Sequence, residues 1–327
     1  MKAAIVYSDS TKISADNQDT LVQMKEISII LNALGIETQS FVFCGSLGVL
    51  EQSLRNMKPD FIFNLVETVN GTDSLIYLAA SFFEYMQIPY TGCTALSLAL
   101  LSSKIKQKKI LLLAGLPTAD FFYVQYHKEL SSSPWIIKSD TEHASLGMDS
   151  DSIVDTLADA KKKIHQKEQE FGGSWFVERY IDGREFNISM LDGENGETQL
   201  LSPAEILFEN LPESTPKIVD YAAKWNTKSD RYRATPRNFN FKEDDKLLLI
   251  QLSSLSRKCW DLFGLNGSAR VDFRVDVYGK PWILEVNANP CLTSDAGFMA
   301  AAHQAKLTPQ EVIKRLLPAH SYPSQRV

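Results

Sequence analysis

Asp272 and Glu285 are carboxylates inside a segment that otherwise looks like strand core, ARVDFRVDVYGKPWILEVNANP. Apolar and polar residues alternate on both sides of Tyr278-Gly279, which predicts a β-hairpin with these two residues as its loop. In that register Asp272 lies directly opposite Glu285, with Cβ atoms about 4.5 to 5.5 Å apart, and like charges at that separation destabilise a sheet. A cation between them would remove the repulsion. Mg²⁺ suits the position because it is usually held by one or two carboxylates together with waters and substrate phosphates.

The same register sets Arg270 opposite Asn287, which places a positive charge and a neutral oxygen beside the two acids. Together these side chains predict a site for a hard cation and an anionic substrate. The alternative is a solvated hairpin whose acidic side chains face water, and the sequence leaves that alternative open.

Lys138 ends the apolar strand PWIIK, where an ammonium group is costly unless it meets an anion. The loop that follows, SDTEHASLGM, consists of small and polar residues, including Ser145 and Gly147, and the backbone N–H groups of such a loop can close over phosphates. These features predict a phosphate clamp with a lid; a strand-end lysine that reaches solvent is the alternative. Lys104 begins a helix, where an anion is favoured, but a surface lysine on a Lys-rich helix is the stronger interpretation there.

The stretch FVERYIDGREF could bind a purine. Its segment Glu178-Arg179-Tyr180-Ile181 ends a strand before a turn, and backbone groups at such a hinge can bind a base while Glu185 holds the ribose hydroxyls. Lys224 lies in DYAAKWN between Tyr221 and Trp225. It could donate to a transferring phosphate or stack on a ring as a cation–π pair.

Composition limits the class of protein. The chain has 327 residues, 44% of them hydrophobic, and a formal net charge of −6, which is typical of a folded globular protein and argues against nucleic acid as the main partner. The four cysteines form no CxxC pair, so a reducing compartment is favoured and each is expected to be a small buried residue. The apolar stretch after Met1-Lys2 is too short for a signal peptide, and no run is long enough to span a membrane. We therefore expect a cytoplasmic protein.

The elements that position these residues follow from apolar periodicity. Strands alternate with helices in the first hundred residues, which predicts a parallel sheet with crossover connections and an α/β fold. No G-x-G-x-x-G follows the first strand, so a dinucleotide site is not expected there. Strands are predicted at 2–8, 38–45, 59–66, 121–126, 134–139, 174–181, 186–191 and 198–207. Helices are predicted at 20–34, 49–57, 102–113, 152–169, 243–263 and 309–317, with a loop-rich region at 211–236.

The order of these residues resembles the ATP-grasp fold and, within it, the D-alanine–D-alanine ligases. The stretches that carry the resemblance are SSKIKQKKILLLAGLP, FVERYIDGREF, DYAAKW and GSARVDFRVD with GKPWILEVNANPCLTS, and the similarity runs from about residue 88 to residue 306. The resemblance implies an N-terminal parallel-sheet domain, 1–95, on the substrate side. Two subdomains, 96–184 and 185–327, would sandwich the nucleotide, so that the fold is α/β and in part α+β.

The resemblance also implies a role for each matching position. The ATP-binding positions are Lys104, Lys138, Ser145, Gly147, Glu178, Arg179, Tyr180, Ile181 and Glu185. The positions that would hold two Mg²⁺ ions, with Mn²⁺ as an alternative, are Asp272, Glu285 and Asn287. Lys224 and Arg270 would be catalytic, stabilising the phosphoryl group and the tetrahedral intermediate. The implied reaction is phosphorylation of a carboxylate by ATP, followed by attack of an amine on the acylphosphate to form an amide, with release of ADP and phosphate.

The amino-acid side of the site departs from this family. The loop YSDSTKISADNQ lacks the Gly-Gly-x-Ser…Glu segment whose glutamate orients the ammonium group of the first substrate. Trp225 replaces a tyrosine, and Ala296-Gly297 align with the Ser-Leu pair that holds the carboxylate of the second substrate. We assign Trp225, Cys291, Thr293 and Ser294 to the substrate pocket. A substrate other than two D-alanines is expected, because a site that has lost a charge partner rejects the substrate that needs it.

Two other functions stay open at this point. A D-alanine–D-alanine ligase with a divergent pocket would release phosphate with D-alanine as the sole amino acid. A nucleotide-binding module without chemistry would bind ATP without turnover, although the presence of Lys224, Arg270 and the metal positions argues against it. The expected partners are small-molecule carboxylates and amino acids, with neither nucleic acid nor membrane. The resemblance is compatible with a homodimer through the N-terminal domain.

Overall fold

The computed structural model describes residues 1–9, 15–44, 46–127, 129, 134–142, 145–193, 197–212, 215–226 and 228–318. Within these ranges the strands form three sheets. No helix in the described part of the chain is both long and apolar enough to cross a membrane.

The first sheet is parallel, in the order β2-β1-β3. Its strands are β1 Lys2–Ser8, β2 Glu37–Phe43 and β3 Phe61–Leu65, and its helices are α1 Ala15–Ala33, α2 Leu47–Met57 and α3 Tyr77–Met86. Parallel strands need crossover connections, which α1 and α2 provide. Alternate residues of β1 pack on opposite faces, Ile5 with α1 and Val6 with α2 and α3. The predicted α/β parallel sheet is therefore confirmed.

The second sheet is antiparallel, in the order β4-β7-β5-β6. Its strands are β4 Phe121–Phe122, β5 Trp135–Ser139, β6 Ile153–Val154 and β7 Trp175–Arg179. The helices in this part of the chain are α4 Ala95–Leu101, α5 Lys104–Leu113 and α6 Leu157–Phe171, of which α6 packs its apolar side on this sheet. The strand predicted at 121–126 ends early in a 3₁₀ turn. The helix predicted at 152–169 begins only at Leu157, because Thr156 caps it by accepting a hydrogen bond from the Asp159 N–H at 3.1 Å.

The third sheet is antiparallel, in the order β11-β10-β8-β12-β13, with β9 paired to β8. Its strands are β8 Gly183–Asp192, β9 Thr198–Leu200, β10 Ala204–Ile206, β11 Arg237–Asn238, β12 Ser268–Asp276 and β13 Pro281–Asn287. The helices in this part are α7 Tyr221–Trp225, α8 Asp230–Arg233, α9 Lys246–Phe263, α10 Gly297–Gln304 and α11 Pro309–Leu316. The single strand predicted at 198–207 is two strands, the region at 211–236 contains two short helices, and α10 was not predicted.

The two faces of the third sheet differ in polarity because side chains alternate along a strand. Phe186, Ile188, Val271 and Phe273 pack on the face covered by α9. The residues between them point to the opposite face, which is polar, and face one another across β8 and β12 as Arg270–Ser189, Asp272–Asn187 and Arg274–Glu185. This polar face carries the candidate site.

The hairpin of β12 and β13 has the predicted register near the site and a different register at its tip. Asp272 pairs with Glu285, but Phe273 pairs with Ile283, so that Leu284 forms a β-bulge. The turn consequently has three residues, 277–279, and the predicted two-residue loop is wrong. Gly279 adopts the left-handed conformation (φ 79°) that three-residue hairpin loops require at their last position.

The apolar core continues between the first sheet and the end of the chain. Ile27 and Leu31 of α1 belong to the same buried cluster as Phe298 of α10 and Val312 of α11. Cys93 and Cys259 are buried as expected, but Cys44 is exposed, which the sequence interpretation had wrong, and Cys291 is partly buried.

Candidate functional site

A cavity of about 910 Å³ lies between the second and third sheets. The predicted site residues that line it are Lys104, Lys138, Ser145, Glu178, Arg179, Tyr180, Ile181, Glu185, Lys224, Arg270, Asp272, Glu285, Asn287, Cys291 and Thr293. Gly147 and Ser294 lie outside the lining. The side chain of Trp225 and the loop residues 10–14 are outside the described part of the structure. Predictions drawn from distant parts of the sequence thus converge on one cavity.

Asp272 is held by two neighbours on the polar face. The Nε–H of Arg270 donates to Oδ1 of Asp272 at 2.7 Å, and its Nη2–H donates to Oδ2 at 2.8 Å. The side-chain amide of Asn187 donates to Oδ1 at 2.8 Å. Burial opposes the charged form of Arg270, yet the Asp272 carboxylate, two residues along the same strand, raises the pKa of its guanidinium. The acid is buried and paired, so the solvated-hairpin alternative is excluded.

The donor set around Asp272 fits a magnesium ion. The carboxylate of Glu285 faces Asp272 across the hairpin, and Asn287 lies two residues further along β13. Among the described hydrogen bonds, the amide oxygen of Asn287 accepts only from the Asn289 N–H. No group of three or more His, Cys, Asp or Glu side chains that could hold a metal occurs among the described residues. Two carboxylates with one amide oxygen leave the remaining positions to waters and phosphates, which is how Mg²⁺ is commonly bound.

Lys104 is a buried residue, contrary to the surface-lysine interpretation. Its ammonium group donates to the carbonyl oxygen of Glu142 at 2.7 Å and lies 3.5 Å from Oε2 of Glu285. Helix α5 begins at Lys104 because Ser103 caps it, and this start directs the lysine toward the cavity instead of solvent. Lys104 thus connects the hairpin of β12 and β13, called the metal hairpin below after its candidate ligands, to the loop that follows β5.

Lys138 lines the cavity beside Glu178. Its Nζ is 3.3 Å from Oε2 of Glu178, and Lys108 contacts the same oxygen at 3.0 Å. Lys108 was missed in the sequence, although it lies four residues after Lys104 and therefore on the same face of α5. Its burial is complete, which makes the pair with Glu178 necessary for its charge.

Glu185, the predicted ribose-binding residue, lies on the polar face of β8. Its Oε2 is 3.0 Å from Nη2 of Arg274, a second residue missed in the sequence. Burial raises the pKa of the Glu185 carboxyl, and Arg274 opposes that shift. A buried acceptor with one bound guanidinium is suited to receive hydroxyl donors.

The loop after β5 is joined to the helix that carries Lys224. The Ser145 hydroxyl donates to the carbonyl oxygen of Val219 at 3.0 Å, and the Tyr221 N–H donates to that of Met148 at 3.2 Å. Gly147 has φ 65°, and a Cβ placed there would lie 2.7 Å from the ring of Trp175. Gly147 therefore shapes the loop from outside the cavity lining.

Lys224 enters the cavity from α7. Asp220 caps this helix by accepting a hydrogen bond from the Ala223 N–H at 2.8 Å. Although much of the lysine side chain is exposed to the cavity, the surrounding protein desolvates its ammonium group, and this effect, with the nearby Arg270, lowers the pKa of Lys224. Lys224 and Arg270 therefore place two positive charges on the same side of the cavity as the candidate metal ligands.

Helix α1 holds the segment that follows the metal hairpin. The Cys291 thiol lies 3.0 Å from Oδ2 of Asp19, the Leu292 N–H donates to Oε1 of Gln23 at 2.5 Å, and the Ser294 N–H and hydroxyl donate to Glu26 at 2.8 and 2.9 Å. The three α1 residues were missed. Their spacing of four and three residues, one helical face, was the available signal. Burial raises the pKa of both the Cys291 thiol and the Asp19 carboxyl.

Comparison with known proteins identifies the family and the fold. Residues 110–318 match the family described as D-ala D-ala ligase C-terminus. The D-alanine–D-alanine ligase of Chromohalobacter salexigens is 28% identical over 310 residues, which cover 93% of this chain and 90% of that protein. That of Pelotomaculum thermopropionicum is 28% identical over 311 residues, covering 90% and 91%. The crystal structure of D-alanine–D-alanine ligase from Bacillus anthracis complexed with ATP superposes with a TM-score of 0.73 at 19% identity, covering 97% of this chain and 96% of that one.

The family match spans more than half of the chain, and the shared fold extends over nearly all of it. The architecture is thus the ATP-grasp fold that the sequence resemblance implied. The chain belongs to the D-alanine–D-alanine ligase family of ATP-grasp carbon–nitrogen ligases.

Proposed function

We propose that this protein uses ATP to join a carboxylate to an amino acid or amine through an acylphosphate, and that its substrates are not two D-alanines. The observation that carries the first part is that buried Asp272 and partly buried Glu285 face each other across the hairpin, with Arg270 alongside. Lys104 and Lys138 line the same cavity. This is the arrangement needed to bind a metal and a triphosphate together.

ATP and magnesium are the proposed cofactors, with two Mg²⁺ ions held by Asp272, Glu285 and Asn287. Bound Mg²⁺ would supply the positive charge that offsets the phosphoryl oxygens. Support comes from the donor set of the hairpin and from the relative of the same fold that was crystallised with ATP. Base and ribose are assigned to Glu178-Arg179-Tyr180-Ile181 and to Glu185, which line the part of the cavity next to Lys138.

In the proposed mechanism, the protein positions the reactants and neutralises charge. Lys224 would contact the phosphoryl group as it moves to the substrate carboxylate, and Arg270 would stabilise the oxyanion when the amine attacks. Arg270 has its orientation fixed by the two hydrogen bonds to Asp272. Ser145 and Gly147 belong to the loop that would cover the phosphates, and this loop is hydrogen-bonded to the segment before Lys224.

The substrate assignment depends on the opposite end of the cavity. Cys291 and Thr293 line it, whereas the family pattern has Pro-Gly at Pro290-Cys291 and Ser-Leu at Ala296-Gly297. These changes remove a hydroxyl that would hold a carboxylate, so discrimination against D-alanine is expected. A D-alanine–D-alanine ligase is the second candidate function, because several relatives carry that name.

A phosphate-release screen tests the proposal. Amino acids and small carboxylates are supplied singly and in pairs with ATP and Mg²⁺, and products are identified by mass. Turnover with a pair other than two D-alanines supports the proposal, and turnover with D-alanine alone supports the second candidate. ATP binding without phosphate release from any pair would contradict both.

Replacement of Glu285 by Gln is expected to lower turnover in this assay by at least about 100-fold, since it removes a predicted metal ligand and orienting effects around metals alone contribute about 10- to 100-fold. Glu51→Gln, a surface acid on α2, is the control and should leave turnover unchanged. Wild-type turnover in Glu285→Gln would contradict the metal assignment.

We further propose the domain division 1–95, 96–184 and 185–327, a cytoplasmic location, and a homodimer through the N-terminal domain. The division is supported by the separate sheets that these ranges contain. Analytical ultracentrifugation of the full chain tests the dimer.

A further inference from the structure

Lys108 is a buried charge that the proposed mechanism does not use. It is fully buried on α5 and does not line the cavity. Its ammonium group donates to Thr118 Oγ1 at 2.9 Å and lies 3.0 Å from Oε2 of Glu178. Removing an ammonium group from water is costly, so its presence at this point calls for a specific partner. That partner is Glu178.

Glu178 is contacted at one of its two oxygens. Both Lys108 and Lys138 lie against Oε2, and no described residue donates a hydrogen bond to Oε1. The carboxylate is almost completely buried, yet it is part of the cavity wall. Oε1 is consequently the oxygen left to accept a hydrogen bond from a bound molecule.

Lys138 has two alternative partners, a bound phosphate and the Glu178 carboxylate, and these compete for its ammonium group. It is partly exposed toward the cavity, where a phosphate would bind it, and it is also 3.3 Å from Glu178. If Lys108 were absent, Lys138 would be the remaining cation beside a buried carboxylate and would be held there. Because Lys108 is the closer and fully buried lysine, it can neutralise Glu178 alone and leave Lys138 available to an anion.

Lys108 is also anchored to the metal hairpin. Thr118 Oγ1, which accepts from Lys108, donates to the carbonyl oxygen of Ile283 at 3.0 Å, two residues before Glu285. The position of the ammonium group is therefore fixed by the same strand that carries a predicted metal ligand. A hydrogen-bonded chain thus connects the base end of the cavity with its metal end.

We propose that Lys108 is a positioning residue for nucleotide recognition: it binds Oε2 of Glu178, directs Oε1 toward an amino group on the nucleotide base, and leaves Lys138 free for the phosphates. The proposal rests on the proposed ATP-dependent function. A base with a carbonyl oxygen in place of the amino group would meet Oε1 oxygen to oxygen, without a hydrogen bond. The site should therefore select ATP over inosine triphosphate, which differs at this group.

Direct binding tests the proposal without requiring turnover. Dissociation constants of ATP and inosine triphosphate are measured calorimetrically with Mg²⁺ for wild type, Lys108→Met, Lys108→Arg and Lys109→Met. Wild type is expected to prefer ATP by roughly 10- to 100-fold, the value of a hydrogen bond to a charged group. Lys108→Met should weaken ATP binding and bring the preference close to one, Lys108→Arg should retain part of it, and the exposed neighbour Lys109→Met should behave as wild type.

A double variant covers the case in which Lys108→Met does not fold. Lys108→Met with Glu178→Gln removes both buried charges, and the neutral amide can accept from ATP or donate to inosine triphosphate. It is expected to fold and to bind the two nucleotides about equally. A wild-type preference in either folded variant, or no ATP binding by wild type, would overturn the proposal. Nucleotide selectivity that depends on Lys108, combined with no phosphate release from any substrate pair, would leave this proposal standing and refute the ligase function.

Discussion

Charges alternate along the polar face of β12. Arg270, Asp272 and Arg274 follow one another at every second position, so their side chains point to the same side of the sheet. Each cation has a carboxylate within hydrogen-bonding distance, Asp272 for Arg270 and Glu185 for Arg274. Alternation of sign lets several ionised groups share a buried surface, because each charge is neutralised by its neighbour before a ligand binds.

Asn187 is expected to orient Asp272, a candidate metal ligand. Its amide donates to Oδ1 of Asp272 at 2.8 Å from the opposite strand. Asn187→Ala should raise the Mg²⁺ concentration required for half-maximal phosphate release by roughly 10- to 100-fold, since groups that orient metal ligands typically contribute that much. The exposed Asn56→Ala is the control. An unchanged Mg²⁺ dependence in Asn187→Ala would show that Asn187 does not position Asp272.

Individual residues differed in how well the sequence predicted their environment. The pairing of Asp272 with Glu285 was predicted from a two-residue turn, and it is correct because the bulge at Leu284 compensates for the third turn residue. Lys108 did not stand out, because KIKQKKI offers several lysines and periodicity alone does not show which helical face meets a buried acid. The sequence around Glu178 likewise did not indicate its two lysine partners, because they are 70 and 40 positions away in the chain.

The loop that follows β5, called the phosphate loop here because it is proposed to cover the phosphates, forms one hydrogen-bonded unit with α7. Ser145 and Met148 bind the backbone of the segment that starts α7, and Asp220 caps that helix. A helix of five residues is too short to be stable alone, so apolar periodicity could not predict it and the region was expected to be a loop. The cap at Asp220 was the local signal for it.

Gly147→Ala is expected to perturb this unit. The new methyl group would lie 2.7 Å from the Trp175 ring, and the left-handed φ of 65° adds strain. Gly173→Ala is a matched control, with φ 69° and open space around its Cβ. The Gly147 variant should be destabilised by about 1–3 kcal/mol more than the control, as overpacking costs that much, and should have a higher KM for ATP.

Thermal unfolding and ATP-dependent phosphate release measure the two effects. Equal stability and equal KM in the Gly147 and Gly173 variants would mean that the Trp175 contact does not set the shape of the phosphate loop.

At the scale of the whole molecule, the first sheet is a structural support for the substrate end of the cavity. Helix α1 packs against α10 and α11 through its apolar side, while Asp19, Gln23 and Glu26 hold the segment 291–294 through hydrogen bonds. The parallel sheet could be predicted because strands and helices alternate in sequence. The hydrogen bonds from α1 to the segment 291–294 could not be predicted, because they join residues more than 260 positions apart.

Glu26→Ala is expected to weaken binding of the non-nucleotide substrate and to leave ATP binding unchanged. It removes two hydrogen bonds to Ser294, so the segment that includes Thr293 loses an anchor. The KM for the non-nucleotide substrate should rise roughly 5- to 30-fold, the value of about 1–2 kcal/mol, while the KM for ATP stays constant. Glu51→Ala is the surface control. A parallel rise in both KM values would indicate a general loss of structure instead.

The bulge at Leu284 separates the tip of the hairpin from the end that lines the cavity. Three residues in the turn and one extra residue in β13 together preserve the pairing of Asp272 with Glu285. A change of turn length is therefore absorbed between the tip and the site, without reversing which side chains face the cavity. The exposed tip at Val277 and Tyr278 is accordingly a place where a reporter group or a peptide insertion could be attached while the chemistry below it is left intact.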